Sequence, residues 1–178
     1  MIKFIFLGLL FLSSNVFSQV ENLDIKNLIV VCQLDKAEDR FTLEVNLAEI
    51  LADCGIKTMA SLNAQKQGTN VGYLGMDSIQ LDLKNKGFDT YVLVSVRGYD
   101  TKFKRSTIFN DMRTELATGH LFPLYRDEIT SISLEFYFYR NGKNVGYDLL
   151  KLGGISSRED VIKKLRKKLP KRIYKYWS

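Results

Sequence analysis

The sequence has few of the residues from which most catalytic and metal sites are built. Its 178 residues include one histidine, two cysteines, two prolines and one tryptophan. The single histidine, His120, does not suffice for a multi-histidine zinc site, and no second histidine or cysteine stands beside it at ligand spacing. The sequence contains no G-x-S-x-G segment, no P-loop and no dinucleotide-binding fingerprint. We therefore expect no metal and no cofactor, and we favour a non-enzymatic protein over an enzyme.

The two cysteines are predicted to remain unpaired. Cys32 lies near the end of a predicted strand, and Cys54 lies at the far end of the helix that follows. That helix rises roughly 27 Å at about 1.5 Å per residue, whereas a disulfide needs Cα atoms within about 7 Å of each other. We expect two buried thiols.

Only the N-terminus carries a long hydrophobic run. Lys3 precedes an uncharged apolar run at residues 4–12, and a short polar stretch then leads to small or modest side chains at Val16 and Ser18. This order predicts a signal peptide at residues 1–18 that is cleaved between Ser18 and Gln19. The run is shorter than the roughly 20 residues of a membrane span. We expect a single domain at residues 19–178, periplasmic or secreted, with no transmembrane segment.

Positive charge is concentrated at the C-terminus. The chain has a formal net charge of +6, and residues 158–178 hold nine basic and two acidic side chains, a local net charge of +7. Without Lys3, residues 19–157 carry −2. We do not expect a nucleic-acid partner for an exported protein with this distribution.

Three compact apolar runs, at residues 28–34, 56–62 and 90–96, have the pattern of buried strands. Between these runs, apolar residues recur at helical spacing, which predicts two helices. Gly55 and Gly87 stand where these helices are predicted to end. Strand, helix, strand, helix, strand in this order predicts a parallel core with right-handed crossovers.

A different pattern follows the third run. Residues 131–139 alternate between apolar and mostly polar side chains, which predicts a half-buried antiparallel strand. Asn141-Gly142 predicts a type I′ hairpin turn to a partner strand at 144–152. The whole chain is predicted to have an α/β fold with a mixed sheet of about five strands, βαβαβ and then a hairpin and a C-terminal helix, with helices on the sheet faces.

Ser156 and Glu159 have the spacing of a capping pair for the last helix, and Pro170 is expected to kink or end it. Five lysines project opposite its apolar stripe, and aromatic residues follow. These lysines and the last aromatic residue are the candidate binding residues: Lys163, Lys164, Lys167, Lys168, Lys171 and Trp177. They form either a surface for anionic envelope material or an acidic partner, or a solvated helix face whose tail aromatics pack on the body.

In their order and amino-acid sequence, these segments resemble those of a group of exported bacterial envelope proteins. The group is related to the amino-terminal domain of TolB, to CsgG and to LpoB. The resemblance covers most of residues 27–170 and is carried by these segments: 27–31, 54–56, 59–62, 86–94 and the late hairpin before a basic helix. It implies an envelope location and protein binding or scaffolding rather than catalysis. Unlike lipid-anchored members, this chain has no cysteine near the predicted cleavage site.

We therefore predict a non-enzymatic envelope protein that binds a protein or an anionic surface. The alternative is a small-ligand-binding protein or hydrolase. Its site would lie at the carboxyl ends of the parallel strands, around four polar residues: Asp35, Ser61, Arg97 and Asp100.

Overall fold

A computed structural model describes residues 22–64, 71–118 and 122–178, which form a five-stranded sheet with helices on both faces. The predicted signal peptide at residues 1–18, its cleavage site and His120 lie outside the described residues.

The strands and helices alternate as the apolar runs predict. The strands are β1 (Asn27–Gln33), β2 (Lys57–Ala60), β3 (Thr90–Gly98), β4 (Ser131–Arg140) and β5 (Lys143–Gly153). The helices are α1 (Ala37–Asp53), α2 (Ser61–Ala64), α3 (Asp77–Asn85), α4 (Met112–Thr118) and α5 (Arg158–Arg172). A 3₁₀ segment (Val71–Gly75) precedes α3, and a π-helical turn (Ile173–Trp177) extends α5.

The sheet order is β2-β1-β3-β4-β5. Strand β1 pairs in parallel with both β2 and β3, whereas β4 is antiparallel to both of its neighbours. The predicted α/β fold is confirmed. Helices α1 and α5 cover one face, which we call the α1/α5 face, and α3, α4 and the 3₁₀ segment cover the opposite one, the α3/α4 face.

Turn residues end the elements where the sequence indicates. Gly55 has a φ of 84°, and the N–H of Ile56 beyond it donates to the Leu51 carbonyl (3.0 Å), which is the Schellman arrangement. Asn141 and Gly142 have φ angles of 50° and 74°, as a type I′ turn requires.

Strand β4 is buried on both faces, so the prediction of a half-buried strand is wrong. Glu135, Tyr137 and Tyr139 lie on its predicted solvent face, yet each of them is buried. The segment before α4 covers them: the Phe109 ring lies 6.2 Å from that of Tyr137, between ring centroids. A tyrosine counts as polar in an alternating pattern, yet it can be buried because only its hydroxyl is polar.

Both cysteines are free, and only one of them is fully buried. Cys32 lies in the core of β1, whereas Cys54 is partly exposed at the end of α1. Burial raises the pKa of the Cys32 thiol well above its usual range, and the nearby Glu44 carboxylate adds to this shift. The Cys32 thiol is therefore a poor nucleophile.

We predict that iodoacetamide at mildly alkaline pH alkylates Cys54 in the native protein and leaves Cys32 unmodified. Burial keeps the reagent away from the Cys32 thiol, and the raised pKa keeps this thiol protonated. Peptide mass mapping measures the two sites, and labelling in denaturant, where both should react, is the control. Equal labelling of the two cysteines in the native protein would contradict the burial of Cys32.

Candidate functional site

The orientation of α5 is set by a stripe of buried residues spaced four apart. Each of these residues is fully or almost fully buried: Val161, Leu165, Leu169, Ile173 and Trp177. Four residues of an α-helix turn by about 40° more than one full turn, so a stripe of this spacing drifts around a regular helix. Continued to Trp177, the drift would reach about 160° and carry the ring away from the sheet.

The π-helical turn offsets part of this drift. The Ser178 N–H donates to the Ile173 carbonyl, five residues back (3.1 Å), which is the hydrogen bond of a π-helix. A wider turn rotates less per residue, so Trp177 returns to the sheet. Pro170 does not end the helix: α5 continues to Arg172. Because proline has no N–H, it removes one helical hydrogen bond shortly before the change of helix type.

Trp177 is a core residue with 1% of its surface exposed. Its indole packs against Phe136 and Phe138, with ring centroids 5.2 and 4.8 Å away. The indole N–H donates to Asp148 Oδ2 at 3.0 Å, and the Arg172 Nε–H donates to the same oxygen at 2.8 Å. Trp177 is therefore not available to a surface ligand, and of the two alternatives for the tail aromatics its burial fits packing on the body.

On the side of α5 that faces α1, the cations have protein partners. Arg158 forms an ion pair with the buried carboxylate of Asp39 (Nε–Oδ1 2.8 Å). Two turns later, Arg166 donates to Asn46 Oδ1 (2.9 Å) and forms an ion pair with Glu49. The partners on α1 come later in the chain as the arginines on α5 do, so α1 and α5 run in the same direction.

On the opposite side of α5, two of the predicted binding lysines protect the edge of the sheet. Lys164 Nζ donates to the Gly153 carbonyl (2.8 Å), and Lys168 Nζ donates to the Lys151 carbonyl (3.0 Å). Both carbonyls belong to β5, the last strand of the sheet, where backbone groups would otherwise be open to another strand.

The remaining three predicted lysines form the outermost row of the helix. Lys163, Lys167 and Lys171 are exposed and have no hydrogen bond or ion pair with any residue that the structure describes. Eight residues separate the first from the last, about 12 Å along the helix axis. We call these three residues the outer lysine row. Beyond it stands Tyr174, which is 64% exposed.

A groove of about 400 Å³ lies beside the outer lysine row, between α1 and α5. Its lining combines the side chains of Thr42, Asn46 and Ile162 with one acidic residue, Glu159, and with basic residues that include Lys163. A lining with apolar surface and an excess of cations suits a ligand that has both an apolar and an anionic part.

Two of the four residues of the alternative site are engaged by other side chains. Ser61 is fully buried, and its hydroxyl donates to the equally buried Glu44 carboxylate (2.7 Å). Arg97 belongs to the α3/α4 face, where its Nε lies 3.9 Å from Glu135 Oε2 and its side chain is 40% exposed. The other two, Asp35 and Asp100, lie in the segments that follow β1 and β3.

Glu44 joins α1 to the ends of β1 and β2. Its Oε1 accepts hydrogen bonds from the Cys32 N–H (2.9 Å), from Ser61 and from Arg40 (3.1 Å), and its Oε2 accepts from the Leu62 N–H (3.1 Å). A buried carboxylate with this many donors is satisfied without a ligand. Within the described ranges, no group of three or more His, Cys, Asp or Glu side chains is placed to hold a metal ion.

Sequence reasoning missed a second buried carboxylate, on the α3/α4 face. Glu135 accepts hydrogen bonds from Ser95 (3.1 Å), Tyr137 (3.2 Å) and Tyr147 (3.3 Å). Burial raises the pKa of Tyr137 to about 12 and also raises the pKa of Tyr147. The alternating pattern of β4 was the available signal, since it placed Glu135 and Tyr137 on one face.

We predict that alkaline pH destabilises the fold through these tyrosines. The unfolded chain releases phenol protons near pH 10, whereas folded Tyr91 and Tyr137 have pKa values of about 12. Their contribution is complete below about pH 10 and is lost as the pH rises toward 12. The urea concentration at the midpoint of unfolding should fall as the pH rises from about 10 to about 12. This fall should be smaller in the variant Tyr137→Phe. A midpoint that stays constant over this range would contradict the assignment.

We predict that the double variant Lys164→Ala/Lys168→Ala self-associates. The change removes two donors from the β5 edge and leaves backbone carbonyls open for pairing with another chain. Light scattering should detect oligomers that grow with concentration. The control is Lys163→Ala/Lys167→Ala, which removes equal charge and should remain unassociated; equal association of both variants would assign the effect to charge.

No helix in the described part of the chain is long and apolar enough to cross a membrane.

Comparisons with known proteins find similarity in solved structures alone, since no family model and no curated protein sequence matches. The lipoprotein GNA1162 from Neisseria meningitidis aligns over 86% of this chain and 99% of its own, at 13% identity and a TM-score of 0.46. A PelC dodecamer variant from Paraburkholderia phytofirmans aligns over 84% of this chain and 89% of its own, at 12% identity and a TM-score of 0.44. The chain thus has a bacterial lipoprotein among its distant structural neighbours.

Proposed function

We propose that this protein is exported by its predicted signal peptide and acts as a non-enzymatic accessory protein of the cell envelope. In this proposal the outer lysine row of α5 docks on an anionic lipid surface. The observation that carries the proposal is the state of Lys163, Lys167 and Lys171, which make no hydrogen bond or ion pair with any described residue although other cations of α5 do.

The spacing of these lysines supports binding over simple solvation. Lys163, Lys167 and Lys171 stand at i, i+4 intervals, where like charges destabilise a helix by about 0.2–0.5 kcal/mol per pair. A solvated helix face gains stability by alternating acidic and basic residues at this spacing. The lysines of the row therefore repel one another, and an external anion would relieve this repulsion.

The energetics favour a reversible attachment. A lysine held near an anionic membrane contributes about 1 kcal/mol, so three lysines contribute about 3 kcal/mol. The exposed ring of Tyr174 is suited to the boundary between lipid and water, and the groove beside Ile162 offers room for an apolar chain. Salt should weaken binding, because exposed charges are screened.

We predict that the mature protein sediments with vesicles of phosphatidylglycerol and not with vesicles of phosphatidylcholine. The triple variant Lys163→Glu/Lys167→Glu/Lys171→Glu should bind the anionic vesicles at least about a hundredfold more weakly, since it loses three favourable contacts. Co-sedimentation at several lipid and salt concentrations measures the affinity.

The matched control is Lys102→Glu/Lys104→Glu/Lys143→Glu, which changes the net charge equally at three exposed lysines outside α5. It should retain most of the affinity. An equal loss of affinity in both variants would show that binding depends only on net charge. Failure of the wild-type protein to bind anionic vesicles would overturn the proposal. In that last case, retention of a purified acidic protein by the row would indicate a protein partner instead.

A further inference from the structure

Tyr91 has a buried hydroxyl for which the fold supplies no partner. The side chain stands on the α3/α4 face of β3 and is 2% exposed. Its hydroxyl makes no hydrogen bond with any described residue. Buried polar groups are nearly always hydrogen-bonded, so an exception of this kind calls for a physical explanation.

The same residue lines a cavity of about 280 Å³ between α3, the start of β3 and the β4–β5 turn. The other lining residues come from α3, from the residue before β3 and from the turn: Asp77, Gln80, Leu81, Lys84, Asp89 and Asn141. At about 30 Å³ per water, this volume equals roughly nine waters, which is close to the size of one sugar ring. Leu81 and Lys84, which line the cavity together with Tyr91, are exposed side chains of α3.

The charges around the cavity are balanced. Asp77 accepts a hydrogen bond from Arg113 (2.6 Å), and Asp89 Oδ1 accepts from the Thr90 hydroxyl (2.8 Å). Lys84 has no carboxylate partner among the described residues and offsets the charge of Asp89. With the Asp77–Arg113 pair neutral, the cavity favours neither an anion nor a cation.

The lining also mixes hydrogen-bond donors with acceptors. Asp89 only accepts, Lys84 only donates, and the amides of Gln80 and Asn141 do both. The Tyr91 hydroxyl stays protonated at physiological pH, because burial raises its pKa to about 12. Hydroxyl groups of a ligand also donate and accept, so they match each of these groups, while Leu81 offers an apolar contact.

We propose that this cavity binds a neutral, hydroxyl-rich ligand about the size of one hexose, and that the unpartnered hydroxyl of Tyr91 is one of its recognition groups. This site lies on the face of the sheet opposite α5 and is independent of the proposed lipid docking.

The test uses the mature protein with glucose, N-acetylglucosamine and inositol as probes, each at millimolar concentration. Saturation-transfer NMR should detect binding of at least one probe, and amide shifts should move at Gln80, Lys84 and Asn141. Competition by acetate or by a simple ammonium salt should be absent, because the cavity is close to neutral.

Tyr91→Phe separates recognition from folding. The variant removes a buried hydroxyl that has no partner in the unliganded fold among the described residues, so its thermal midpoint should be at least as high as that of the wild type. Its affinity for the bound probe should fall about tenfold, equivalent to 1.4 kcal/mol. Gln80→Trp, which narrows the cavity from the helix surface, should also weaken binding.

The matched control is Tyr139→Phe, which removes the hydroxyl of the cross-strand neighbour of Tyr91, a residue that does not line the cavity. This control should bind the probe as the wild type does. Absence of binding by all three probes would overturn the proposal, as would equal affinity of Tyr91→Phe and wild type. A large loss of stability in Tyr91→Phe would also overturn it, because it would reveal an internal partner for the hydroxyl.

Discussion

The attachment of the C-terminal turn to Asp148 is the interaction on which the rest of this surface depends. The buried carboxylate of Asp148 accepts hydrogen bonds from the Trp177 indole and the Arg172 guanidinium. Removing the carboxylate would leave a partly exposed guanidinium and a buried indole N–H without acceptors, and an unpaired buried donor costs about 1–3 kcal/mol. Because Trp177 is fixed in this way, α5 has one rotational setting, and its outward face follows from that setting.

That single setting divides chemically similar side chains into three groups with different roles. Arginines that face α1 pair with carboxylates and an amide, as Arg158 does with Asp39. Lysines that face β5 donate to edge carbonyls, as Lys164 does to Gly153. Lysines that face neither, such as Lys167, have only solvent or a partner to interact with. Position around the helix, and not net charge, therefore decides which cations are available for binding.

Much of the fold could be predicted because its signals are local. Apolar runs identified the buried strands, and Gly55 marked the end of α1. The N-terminus of α5 was placed one residue early, because Ser156 with Glu159 and Ser157 with Asp160 have the same spacing. The structure shows that Ser157 accepts from the Asp160 N–H (3.1 Å). Such overlapping patterns cannot be separated without the position of the preceding strand.

The features of the candidate sites were harder to predict because they depend on non-local geometry. A period of 3.6 residues does not anticipate a π-helical turn, so the sequence leaves open whether Trp177 lies at the surface or packs on the body. Sequence alone does not identify β5 as the edge strand, so the edge role of Lys168 was not foreseen. Likewise, nothing in an apolar run indicates that the hydroxyl of Tyr91 lacks a partner, since that depends on α3 and the β4–β5 turn.

The two proposed sites lie on opposite faces of one sheet, and this arrangement allows them to operate together. Val92 packs on the α1/α5 face of β3, whereas its neighbour Tyr91 packs on the α3/α4 face. A molecule resting on a lipid surface through the outer lysine row would therefore turn the Tyr91 cavity away from that surface. Because the sheet core separates the two sites, docking through the outer lysine row would leave the cavity facing the surrounding solution.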